Sequence, residues 1–146
     1  MRAPTSKNKE VKFFMRSVII SSVLLILLII GISANAYYVN SVSTEMLDMA
    51  FALPSEFEYI NSLDETEIEK YKTEINKLVA KWEKHAVRIN LVSKYSDFDR
   101  VNSNIYAVKE YFFTGYYADY SAARKKLIAA LEKQKQNELP VLENVF

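Results

Sequence analysis

The sequence predicts an all-α protein, with one N-terminal transmembrane helix followed by an extracytoplasmic antiparallel helical bundle of three to four helices. Three observations lead there. Residues 17–36 form an uninterrupted run without a single charge. Two glycines and three prolines punctuate 146 residues, which favours long helices over tight turns. Beyond the apolar run, hydrophobic residues return every three or four positions, the period of a helix and not of a strand.

The first element is the apolar run itself, from Ser17 to Ala36. Twenty helical residues at about 1.5 Å each reach across the roughly 30 Å hydrocarbon layer of a bilayer. The preceding flank holds Arg2, Lys7, Lys9, Lys12 and Arg16 against Glu10, and no lysine or arginine follows until Lys70. Short positive flanks stay cytoplasmic, so residues 1–16 are expected inside and residues 37–146 outside. Phe13 and Phe14 on one side, and Tyr37 and Tyr38 on the other, stand where interfacial aromatic belts belong. The alternative is a cleaved signal peptide, for which Ala34-Asn35-Ala36 supplies the small-residue pattern. The length of the run, and a helical pattern continuing through Tyr37, Val39 and Val42, favour a retained anchor. Either way the remainder is exported.

Composition narrows the chemistry. With no cysteine there is no disulfide, thiolate ligand or cysteine nucleophile. Of nineteen basic and eighteen acidic side chains, residues 37–146 keep fourteen and seventeen, a mildly acidic balance without the footprint of a nucleic-acid partner. About 110 residues suffice for one small core.

In the exported part, Met46, Leu47, Ala50 and Leu53 follow helical spacing up to Pro54, which predicts a kink or a break. Ser62 to Glu65 reads as a capping box, with Asp64 and Glu67 as an alternative one register later. The helix it opens runs from Asp64 to about Ser93, with Ile68, Tyr71, Ile75, Leu78, Trp82, His85, Ile89 and Val92 on one stripe. Ser96 to Asp99 is expected to cap the next, whose stripe is Phe98, Val101, Ile105, Val108 and Phe112 and whose end is Thr114-Gly115. The last helix starts near Asp119 or Ser121, carries Tyr120, Ala123, Leu127, Ala130 and Leu131 on one side, and runs to about Glu138 before Pro140.

This layout, the Lys81-Trp82-Glu83-Lys84 stretch and the ending from Leu139 to Phe146 resemble a family of short, single-pass, N-terminally anchored helical proteins of clostridia and related Gram-positive bacteria. Pro54 and the aromatic 106–120 segment depart from the pattern of that family, whose function is unassigned. The resemblance implies a membrane partner and brings no catalytic residues.

Four features merit weighing as sites. His85, the only histidine, has Lys81, Trp82, Arg88 and Ile89 within helical reach, none of them suited to complete a metal site, so a structural role is expected. Trp82 lies on the apolar stripe of the longest helix and is expected to anchor the core rather than to stack on a ligand. Glu56, Glu58, Asp64, Glu65, Glu67 and Glu69 lack the glycine and alternating acids of a calcium loop, and acid at a helix N-terminus suits the helix dipole. The fourth feature is an aromatic hairpin of Tyr106, Tyr111, Phe112, Phe113, Tyr116, Tyr117 and Tyr120. Phe112 and Phe113 lie about 100° apart around a helix, so one narrow stripe cannot bury both. Phe113, Tyr116, Tyr117 and Tyr120 are therefore the candidate partner contacts, against the plain reading that they close the core.

No nucleophile–base pair or phosphate loop is present, so an enzyme is not expected, and neither is a cofactor or metal. The leading expectation is an interaction or accessory subunit for another membrane or envelope protein. The alternative is a ligand-binding or sensory helical bundle. A sensor calls for a second span and a cytoplasmic output, for which the sequence offers no segment.

Overall fold

The computed structural model describes residues 6–137, and among these there are helices and turns but no strand. Arg2, Pro140 and the Leu139–Phe146 ending lie outside them. The protein divides into two compact units between Asn35 and Ala36.

The first unit is the N-terminal part of α1 (Ser6–Ala52). Its residues from Val11 to Ala34 are all exposed. The helix is long and apolar enough to cross a membrane, as the uncharged run requires.

The second unit begins with the last part of α1, where Val39, Val42, Met46, Leu47 and Ala50 are buried at three- and four-residue intervals. Pro54 produces a break: α1 ends at Ala52, and a single turn, α2 (Phe57–Asn61), follows. Proline supplies no backbone N–H and pushes the residue before it out of helical geometry. The α1 carbonyls left without helical partners are met by the last helix. Arg124 Nε donates to Ala50 O at 2.9 Å and its Nη2 to Phe51 O at 3.2 Å, while the Tyr120 hydroxyl donates to Pro54 O at 2.9 Å.

α3 (Glu65–Val92) opens on the later of the two expected caps. Glu67 N donates to Asp64 Oδ1 at 2.8 Å and Asp64 N to Glu67 Oε2 at 3.2 Å, the reciprocal bonds of a capping box. α4 (Tyr95–Thr114) corrects the reading of Ser96 as its cap. It starts after Lys94 with no side-chain cap, and Asp97 is buried in its first turn. The Asp97 carboxylate is drawn to a distant partner instead, accepting from Asn137 Nδ2 at 2.7 Å. Gly115 ends α4 at φ 80°, a backbone geometry costly to any residue with a Cβ. α5 (Tyr117–Asn137) then starts at once, two residues before Asp119, because Tyr117 packs on Phe112 across the turn with ring centroids 5.5 Å apart. It returns along α4 until Asn137 meets Asp97.

Trp82 lies at the centre as expected, fully buried. Its ring stacks on Phe98 at 5.3 Å and its Nε1 donates to Asn102 Oδ1 at 2.8 Å, tying α3 to α4. Phe112 and Tyr120 meet edge to face at 4.9 Å, a favoured geometry for aromatic pairs.

Candidate functional site: an aromatic end of the domain

The aromatic hairpin sorts its rings by helical phase. Phe112 continues the buried stripe of Val101, Ile105 and Val108, so its neighbour Phe113 is turned outward and stays 39 % exposed. Tyr116, in the turn after Gly115, is 63 % exposed. The other two expected contacts lie differently. Tyr117 is half-buried against Phe112. Tyr120 is a correction: it is fully buried and its hydroxyl is engaged by Pro54, so it cannot touch a partner. It shares the stripe of Ala123, Leu127 and Leu131, and that phase places it inside. Tyr106 is exposed along α4, its hydroxyl donating to Glu83 Oε1 at 3.1 Å. Partial burial, with the Glu83 carboxylate beside it, raises the Tyr106 phenol pKa.

Cations surround the exposed Phe113. Lys72 Nζ and Lys109 Nζ each lie 5.7 Å from the ring centroid, inside the range where an ammonium is drawn to a ring face. Lys72 also donates to Glu69 at 2.6 Å, and that carboxylate raises its pKa, so it stays charged. The site therefore presents an exposed ring beside Lys109 and the Lys72–Glu69 ion pair.

Three exposed aromatics that the sequence reading did not select share this end of the domain: Phe51, Phe57 and Tyr59. Phe51 closes α1 next to the carbonyls that Arg124 holds. α2 packs on α5, and the Tyr59 phenol lies close enough to Tyr71 for that hydroxyl to raise its pKa. Tyr71 in turn meets Phe112 edge to face at 6.4 Å. An open groove of about 330 Å³ lies at the connection from α1 to α2, lined by Leu53, Pro54, Ser55, Glu56 and Tyr59. The only sequence signal was Pro54, which frees the next residues from α1 and lets α2 fold back.

The other features are structural. His85 is half-buried, and in its Nε2–H tautomer Nδ1 accepts the Tyr38 hydroxyl at 2.6 Å. Burial, with Lys81 and Lys84 nearby, lowers its pKa. Asp64 and Glu67 are engaged in the cap and Glu69 with Lys72. Among the described residues no three acids, histidines or cysteines converge on a metal-sized point.

No family model matches the chain, and none of the curated proteins or solved structures matches it.

Proposed function

We propose that the protein is a membrane-anchored accessory subunit whose exported domain, an antiparallel helical bundle, docks onto another envelope protein through its aromatic end. The observation that carries this reading is the exposure of Phe113 and Tyr116, together with that of Phe51, Phe57 and Tyr59, at the end of the domain that the Tyr71–Phe112–Tyr120 contacts and the Tyr120–Pro54 bond draw together. Tyrosine and phenylalanine bury much area for little loss of side-chain freedom and are enriched where interfaces hold most of their energy. Lys109, which lies beside Phe113 and has no ion-pair partner among the described residues, favours a partner surface with a carboxylate at its rim. In this reading α1 holds the chain in the membrane with residues 1–16 cytoplasmic, on the strength of the basic flank. The unbroken helix through Ala34-Asn35-Ala36 supports retention, because it carries the apolar run on as one helical element.

Site-specific photo-crosslinking in the native membrane tests it. A crosslinker at Tyr116 should give one discrete adduct with a membrane protein, and the same group at exposed Asn76 should not. Phe113→Ser should abolish the adduct without changing the amount of protein. Equal adducts from both positions, or none from Tyr116, refute the docking surface. A chain beginning at Tyr37 in the medium would refute the anchor.

A further inference from the structure

The outer face of α3 is polar from Glu65 to Lys84 and then changes character. Val87 and Leu91 are 75 % and 80 % exposed, and across the Ser93-Lys94 turn Tyr95 is 72 % exposed. Leu91 stands nine residues beyond the buried Trp82, about 180° around the helix, so it faces directly away from the core. Lys84, Arg88 and Lys94 lie among these apolar residues, and no carboxylate occurs from Lys84 to Ser96. Among the described residues none of the three cations has an ion-pair partner.

The position of this patch along the chain suggests what covers it. Tyr38, two residues after Ala36, bonds to His85, and the Arg88 guanidinium lies over the Tyr38 ring, 3.8 Å from its centroid. A bilayer is about 40–45 Å thick with its headgroups and about 30 Å without, leaving roughly 5–8 Å of headgroup layer on each side. At about 1.5 Å per helical residue, that layer extends about three to five residues past the end of a span. If the span ends at Ala36, Tyr38 and the arginine stacked on it fall within the layer.

We propose that the C-terminal turn of α3 and the start of α4 form a lipid-binding seat on the outer leaflet. Val87, Leu91 and Tyr95 enter the interface, and Arg88 and Lys94 meet lipid phosphates. The inference rests on the reading of Ser17–Ala36 as a retained anchor. Apolar side chains flanked by long cations suit a headgroup boundary, where the stems of Lys and Arg lie in the apolar zone and their charges reach phosphate. Tyrosine is the residue enriched at that depth. Arg88 is preoriented for the task by its stacking on Tyr38.

The absence of cysteine makes the test clean. Full-length Leu91→Cys, Asn76→Cys and Leu25→Cys, each with one environment-sensitive fluorophore, are reconstituted into phosphatidylcholine–phosphatidylglycerol vesicles. Brominated lipid should quench the Leu91 label, and iodide should quench it several-fold less than the Asn76 label. Equal iodide quenching at both positions overturns the seat. Protection from iodide without quenching by brominated lipid also overturns it and indicates a protein, or a second copy, on this face. The Leu25 label separates the two readings. If lipid quenches it while the Leu91 label stays in water, only the seat fails; if it escapes lipid quenching, the anchor fails and the seat with it.

Discussion

Replacing Trp82 with alanine removes the largest fully buried side chain. Deleting a buried tryptophan or phenylalanine costs about 3–5 kcal/mol through lost transfer energy and the cavity left behind. The site favours the upper half of that range, because the Phe98 ring stacked at 5.3 Å loses its partner face and Asn102 loses its donor at the same time. Small domains have about 5–15 kcal/mol in all, and in a domain of this size each kcal/mol moves Tm by several degrees. Trp82→Ala should therefore lower Tm by more than about 12 °C. Trp82→Phe keeps a ring on Phe98 but gives up the bond to Asn102 and part of the indole volume, a loss of about 2 kcal/mol, smaller than that of alanine. The assay is urea and thermal unfolding of the full chain in mild detergent, followed by far-UV circular dichroism. A Trp82→Ala protein melting within about 2 °C of wild type would refute the packing argument, since no cavity term that small fits a closed core. A Trp82→Phe loss equal to that of alanine would show that the hydrogen bond, not the stack, carries the effect.

Arg124→Met should cost about 1–3 kcal/mol in the same assay, because Ala50 O and Phe51 O at the end of α1 would lose their buried donor; an unchanged midpoint would show that water replaces the guanidinium there. His85 makes the domain sensitive to acid. Its pKa is lower in the folded protein than the ordinary 6.5, so the unfolded chain takes up the proton first, and stability is full above that value and falls as pH drops through it toward the folded one. His85→Gln should flatten Tm between about pH 5 and 7.5, and a pH profile parallel to wild type would assign the sensitivity to other groups.

How much of this was legible varies by element, and the reason is range. α3 could be read almost to the residue, because its period and its stripe through Trp82 are local signals that agree; its start offered two caps, Ser62 and Asp64, and the structure uses the later. Gly115 was legible for the same reason, since its positive φ is a property of one residue. The start of α4 was not, because Asp97 can cap a helix or bond across the domain, and only the tertiary structure brings Asn137 to it. Tyr38 reads as an interfacial belt residue, and its bond to His85 spans 47 positions that no local pattern connects. Arg124 looks like one of a row of surface cations with Lys125 and Lys126, and its burial depends on where α1 ends. Within the aromatic hairpin, composition announced an excess of rings over core space, but the phase of α4 and α5 decided which stayed out. Phe113 and Tyr116 are exposed; Tyr120 is not.

The buried polar contacts explain how aromatics from distant parts of the chain come to share one end. A purely apolar core of short helices tolerates the slip of one helix past another by a turn, about 5.4 Å, since one leucine fills a gap much as another does. Directional contacts do not tolerate it. Ser43 Oγ donates to Gln134 Oε1 at 3.3 Å in the core, while Arg124 and Tyr120 hold the end of α1, so α5 is pinned to α1 at two levels. Asp97 and Asn137 pin α5 to α4, and Trp82 and Asn102 pin α4 to α3. The arrangement brings a polar group into the core: Gln134 is fully buried, and among the described residues its Nε2 has no hydrogen-bond partner. A register fixed by these contacts keeps the end of α1, where Phe51 stands, against the start of α5, next to the turn that carries Phe113 and Tyr116. A slip of one turn in α5 would instead carry Tyr120 away from Pro54 and Arg124 away from the carbonyls that end α1.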